Sequence, residues 1–479
     1  MDRRAFALSV LLACGSPDQG GPPADADDGT SGAETVEALV DLAGDAAERT
    51  EALSLAEEVR GSLAEASDER REAIASAMGR ALLTIEGTAG ADNRLRITLL
   101  RGLGESAAEA ARAPLTVIAR RQRADQSFLI NRMALELLAE RREEANVPVL
   151  IEGLFLSDAA NPAMRMNDIA ANGLARLGEA AVEPLLEVLA GTRPGVAELV
   201  ERYVDLVEAR LGASGGPTAE QVRVAEALYG LGLLGHRSTL RPLLEVSRHE
   251  DATLRLGAVM ALVSLRPSLE DGEPIREALL RVYEAATEVQ QQAHLLASAR
   301  RLGDPELAPF LLGVAQQSDL DPSLRLAAAH GYALLASTAD RAFGRLTRDR
   351  ELGGHFAELV PLLAEGEHCS ELACWVQAFQ THTQGPVDPA LAEKAAMQIG
   401  QLGRLDPRAI SALVAQLGHR EIQVRLAALR ALDRIAVHGS AAAVQRIDEL
   451  RASEEGRAIW SNFALEALPV QARLIARGR

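Results

Sequence analysis

The stretch DPSLRLAAAHGYALL, residues 321–335, carries the reading of the whole chain. Asp321 has a short acceptor side chain of the kind that caps a helix, and Pro322 suits a first helical position, where its missing N–H is not needed. An apolar–Arg pair, Leu324-Arg325, follows, and small and aliphatic residues then run on without a break. The same order returns in DATLRLGAVMALVSL (251–265), DNRLRITLLRGLG (92–104), NPAMRMNDIAANGLARLG (161–178) and EIQVRLAALRALDRI (421–435). EQVRVAEALYGLGLLG (220–235) keeps part of it, and SEEGRAIWSNFALEAL (453–468) keeps it loosely.

In this register the arginine falls at Arg96, Arg165, Arg223, Arg255, Arg325, Arg425 and Arg457, and weaker copies place Leu129, Gln290 and Ala392 there. Neighbouring steps are 32 to 36 residues, except 58 after Arg165 and 67 after Arg325, which mark insertions. A period of about 34 is that of a stacked two-helix repeat. Asp92, Asp125, Asn161, Asp251, Asp321 and Asp388 lie four residues before the slot as expected caps. EAAVEPLLEVLAG, DPELAPFLLGVAQ and DPRAISALVAQLG read as partner helices, two of them opening on Asp304-Pro305 and Asp406-Pro407. Gly178, Gly235, Gly303 and Gly403 stand near helix ends, where glycine takes a left-handed C-cap cheaply.

Composition agrees. Hydrophobic residues make up 48% of the 479 but aromatics only 3%, so Ala, Leu and Val must form the core, as suits close helices. The formal charge of −18 speaks against a chain that tracks a phosphate backbone, so no nucleic-acid partner is expected. Lys394 is the one lysine beside 49 arginines.

The pattern resembles the HEAT-repeat family, in its short bacterial form, from about residue 90 to 479. The resemblance implies an all-α, right-handed α-solenoid of about ten helix pairs over 89–479, with insertions near 191–218 and 340–386. Residues 34–88 are amphipathic without the register and read as a helical N-terminal cap. The family's slot arginine packs in a ladder with an aspartate six residues earlier. Here only Asp319, before Arg325, keeps that aspartate; His249 and His419 stand before Arg255 and Arg425. The slot arginines are accordingly expected to stabilise the repeats. The stack would offer a partner an inner surface roughly 100 Å long.

The first 33 residues read as an address. Arg3 and Arg4 precede an apolar run from Ala5 to Ala13 that is far too short to span a bilayer and fits a secretory signal. Leu11-Leu12-Ala13-Cys14 resembles the lipobox of bacterial lipoproteins, which implies cleavage after residue 13 and diacylglyceryl and acyl modification of Cys14. Asp2 to Phe6 is also similar to the twin-arginine export motif. Residues 14–33, rich in Gly, Pro, Ser and Asp, read as a disordered tether. The expected place is the periplasmic side of the cell envelope, with outer-membrane sorting preferred because Gly15, not Asp, follows the cysteine.

Cys369 and Cys374 are expected to form a disulfide in an exported chain. Free thiols, or a zinc site with His368 and His382, are the alternatives. No Ser/His/Asp grouping, Gly-rich phosphate loop or HExxH motif occurs, so neither catalytic residue nor metal nor other cofactor is expected. The resulting expectation is a monomeric, non-catalytic, lipid-anchored envelope scaffold that binds a protein partner. The alternatives are a HEAT-like enzyme of the lyase type and a purely structural spacer.

Overall fold

A computed structural model describes residues 31–121, 126–211, 216–265, 272–336, 341–384 and 386–478. Cys14, the tether before residue 31 and Asp125 lie outside them, as does the side chain of Arg457. The described residues form an all-helical solenoid; their only β-type pairing is an isolated bridge between Ser157 and Arg165. No helix among them is long and apolar enough to cross a membrane.

The chain divides into two compact units, residues 1–134 and 135–479. The first holds α1 (Ser31–Gly44), α2 (Arg49–Gly61), α3 (Asp68–Thr84), α4 (Gly90–Ser106) and α5 (Arg112–Arg120). The first slot arginine, on α4, therefore belongs with the N-terminal helices. Asp92 is not the N-cap of α4. It lies in the first turn, reaches back to the Ala89 N–H at 3.0 Å and forms a buried ion pair with Arg49 at 2.6 Å. α6 (Phe128–Arg141) runs across the boundary between the units.

In the second unit, slot helices alternate mostly with shorter ones, the 16-residue α10 being the exception. The order is α7 (Val147–Gly153), α8 (Asn167–Leu177), α9 (Val182–Ala190), α10 (Val196–Leu211), α11 (Ala219–Leu234) and α12 (Leu240–Val246). Then come α13 (Ala252–Leu265), α14 (Glu273–Ala285), α15 (Val289–Leu302), α16 (Ala308–Gln316) and α17 (Pro322–Leu335). Four short helices fill the region of the second insertion: α18 (Phe343–Leu346), α19 (Gly353–Ala357), α20 (Val360–His368) and α21 (Leu372–Thr383). The unit ends with α22 (Pro389–Leu402), α23 (Pro407–Ala415), α24 (Ile422–Ile435), α25 (Ala441–Ala452) and α26 (Glu454–Arg477).

Local chemistry explains most of these boundaries. Asp251, Asp321 and Asp388 accept hydrogen bonds from N–H groups at the starts of α13, α17 and α22. Asp406 does the same for α23. Asn161 departs from the expectation. It accepts from the Ala163 N–H within a loop, and α8 starts only at Asn167, because the chain from Ser157 to Arg165 is pinned as a hairpin-like turn. Gly403 departs too: α22 closes there with φ of −91°, not in the left-handed region. Small residues set the spacing of the layers. A Cβ on Gly232 of α11 would lie 3.1 Å from the Ala261 Cα of α13, so the two backbones approach as closely as they do only because that position is glycine.

One feature of the second unit corrects the open inner surface expected from the repeats. The last helix, α26, packs on its neighbours α24 and α25 but also on α8 and α11, more than 200 residues earlier. Part of the surface of α8 and α11 is thus covered by the chain's own C-terminal helix.

An Asp388→Ala variant should keep its helix content and lose about 1 kcal/mol of stability, since one side chain caps two N–H groups at the start of α22. The denaturant midpoint measures it.

Candidate functional site

The slot arginines whose side chains are described share one task. A helix leaves its last four carbonyls without partners, and the guanidinium of the following slot reaches back to them. Arg96 donates to Ile85 O and Gly87 O, just past α3. Arg165 donates to Leu154 O, past α7. Arg223 donates to Val188 O and Leu189 O at the end of α9. Arg255 and Arg425 cap the turns after α12 and α23 through His249 O and His419 O. Arg325 donates to Ala315 O of α16, and its ion-pair partner is Asp349 at 2.6 Å, not the Asp319 of the family ladder. That pair holds the Asp349 carboxyl down at about 2. Arg165 pairs with Glu226 at 2.7 Å and lies over the Tyr203 ring.

A second group of charges lies where α13, α15, α22, α24 and α26 meet. Asp433 of α24 accepts from Arg473 Nε and Nη2 at 3.1 and 2.6 Å and pairs with Arg477 at 3.1 Å. Burial alone would raise the Asp433 pKa, yet the two arginines outweigh it and hold the carboxyl below its usual range. Arg473 also donates to Leu233 O at the end of α11, across 240 positions of sequence. Arg430 grips Glu466 with two hydrogen bonds of 2.9 and 2.6 Å. Arg300 pairs with Glu393 at 3.1 Å and donates toward His330 Nδ1 at 3.3 Å. Burial lowers the His330 pKa, and Arg300 adds to that effect while Glu393 opposes it.

Arg434 enters this group by way of a glycine. Gly303 ends α15 with φ of +58°, and a Cβ there would lie 2.8 Å from Arg434 Nη1. The guanidinium instead passes over the bare Cα and donates to Leu302 O and Arg301 O. Among the described residues, arginines 300, 301, 430, 434, 473 and 477 gather here with the carboxylates of Glu393, Asp433 and Glu466, and two small recesses open in this group. They measure about 40 and 30 Å³ and share Arg301, Arg430 and Arg434 in their walls. Small-molecule enzyme sites usually occupy some 300–1,000 Å³.

Lys394 is wholly buried, its ammonium donating to Ala333 O and Ala336 O at 2.9 Å, where it caps the end of α17. Burial disfavours the ammonium and pulls its pKa down to about 8, against the opposing charge of Glu365. Cys369 and Cys374 are joined as a disulfide between the end of α20 and the first turn of α21, their Cα atoms 5.5 Å apart. His382 lies 3.3 Å from Glu365, and no metal-ligating cluster of three such side chains occurs among the described residues.

The repeat register had marked the slot arginines but none of the inner group. Arg300, Arg301, Glu393, Arg430, Arg434, Glu466 and Arg473 carry no local signal that distinguishes them from other helix charges in the sequence.

No protein-family model and no curated protein matches the chain. Among solved structures it is similar to the complex of CpcE and CpcF of phycocyanin lyase from Nostoc sp. PCC7120. That match has 18% identity over 62% of this chain and 95% of the other, with a TM-score of 0.28, and carries nothing about function.

Asp433→Asn should cost about 3–5 kcal/mol in denaturant unfolding, because it strands two arginines inside the unit. Asp433 and Glu466 both have lowered pKa values, so the stability they give is present above the ordinary carboxylate range and is lost as pH falls below about 4. Lys394 acts at the other end. Between about 8 and 10.5 the unfolded chain binds more protons than the folded one, so stability should rise with pH there, by up to about 3 kcal/mol. Lys394→Met should flatten that window in a series of unfolding curves.

Proposed function

We propose that this protein is a non-catalytic scaffold of the cell envelope, held at a membrane by lipid on Cys14 and binding a protein partner through its solenoid surface. The observation that carries the reading is the use to which buried ionisable groups are put. Lys394 caps a helix, Asp433 joins α24 to α26, and the slot arginines close helix ends. These buried charges hold helices in place, which suits a rigid binding surface better than proton transfer.

With α26 laid on α8 and α11, a partner in that region meets the faces of the stack that α26 leaves uncovered. The short helices α18 to α21, tied by the Cys369–Cys374 disulfide, add an irregular face suited to recognition.

The native protein and a Cys14→Ala form should be compared by intact mass and membrane fractionation. A chain that starts at a lipid-modified Cys14 and pellets with membranes, against a soluble unmodified variant, is the expected result. An unmodified chain from Met1 in the soluble fraction of both would overturn the anchor. Crosslinking of the anchored form should then trap an envelope protein, and efficient turnover of a small substrate would overturn the non-catalytic reading.

A further inference from the structure

The inner charge group is unbalanced. Glu393 answers Arg300, Glu466 answers Arg430, and Asp433 answers both Arg473 and Arg477. Arg434 is spent on the carbonyls at the end of α15. That leaves Arg301, whose guanidinium makes no hydrogen bond or ion pair among the described residues. It borders both recesses and keeps contact with solvent. Protein crowding desolvates it and lowers its pKa, with the attraction of Glu466 set against repulsion from Arg473 and Arg430. In a chain with a formal charge of −18, the described walls of these recesses set the guanidiniums of Arg300, Arg301, Arg430 and Arg434 against the carboxylates of Glu393 and Asp433, a local excess of positive charge at a solvent-reachable hollow.

We propose that this hollow binds a phosphate group, with Arg301 as its principal ligand and Arg300, Arg430 and Arg434 around it. Size and charge select that ligand. A recess of about 40 Å³ has room for a few waters or a single oxyanion and excludes a larger rigid ligand. The planar guanidinium fork matches an oxyanion in two parallel hydrogen bonds. A phosphate monoester carries about −1.5 to −2 near neutral pH, which offsets the local excess better than a single carboxylate charge. The left-handed glycine end of α15 sets the recess wall, since Gly303 lets Arg434 close over the helix terminus just beyond Arg301. The site is independent of the lipid anchor and of the partner proposed above.

The test uses the full chain, with thermal unfolding followed against inorganic phosphate at constant ionic strength made up with chloride. The midpoint should rise saturably with phosphate. Arg301→Gln should weaken that response about tenfold or more, because charge-assisted hydrogen bonds are lost. In phosphate-free buffer the same variant should be as stable as the parent, since Arg301 bonds to nothing there; this separates ligand loss from misfolding. Arg420→Gln, at an exposed arginine in the turn before α24, should respond like the parent.

Glycerol 3-phosphate, run in parallel, separates the sources. A stronger response than to inorganic phosphate assigns the site to a monoester of a larger molecule, and a weaker one assigns it to the free ion. Absence of any phosphate response, an equal response in Arg301→Gln, or an equal response to acetate would each overturn the proposal.

Discussion

A solenoid of short helices has one recurring difficulty: every helix end leaves carbonyls that neither the helix nor, once buried, water can satisfy. In this chain the guanidinium of a following slot answers several of them. Arginine is fit for the task because its five donors lie in a rigid fork, so one side chain can serve two carbonyls, as Arg223 does, or a carbonyl and a carboxylate, as Arg325 does. The repeat is thus held as much by its junctions as by its apolar faces. The one lysine meets the same need at the end of α17, with its ammonium set between two carbonyls.

The apolar part of the packing depends on smallness. Ala170, Ala171, Ala258, Ala261, Ala328, Ala329, Ala428 and Ala431 are buried on slot helices, and glycines stand among them where backbones come closest. Side chains this short bury little area each, so the helices must approach closely for dispersion and burial to hold the stack. Close approach in turn leaves few voids, which is consistent with recesses of only about 40 and 30 Å³ at the inner charge group.

The two kinds of arginine in the second unit differ in what surrounds them. A slot arginine meets its carbonyls within the same repeat or the one before. Several inner arginines reach groups far off in sequence, Arg300 to Glu393, Arg434 to Leu302 O and Arg473 to Leu233 O, and among the described residues their guanidiniums outnumber the nearby carboxylates. Where pairing is complete, as at Asp433, the charges join helices; where it is incomplete, at Arg301, the same geometry leaves a hollow that an anion can fill.

Periodicity, capping residues and the slot arginine were all legible in the sequence, because each depends on neighbours within one helix or one turn. Composition likewise determined that the core would be aliphatic and the elements helical. The errors came where tertiary contacts override a local rule. The turn at Ser157 to Arg165 delays α8 past Asn161, and Arg325 turns from Asp319 to Asp349 because the helices after α17 bring that carboxylate within reach. The site that matters most was not legible at all. Arg473 touching Leu233 and Arg434 touching Leu302 are decided by the way α26 and α24 return onto earlier helices. A pattern repeating every 32 to 36 residues specifies how each layer meets the next, not the accumulated rotation that brings distant layers together.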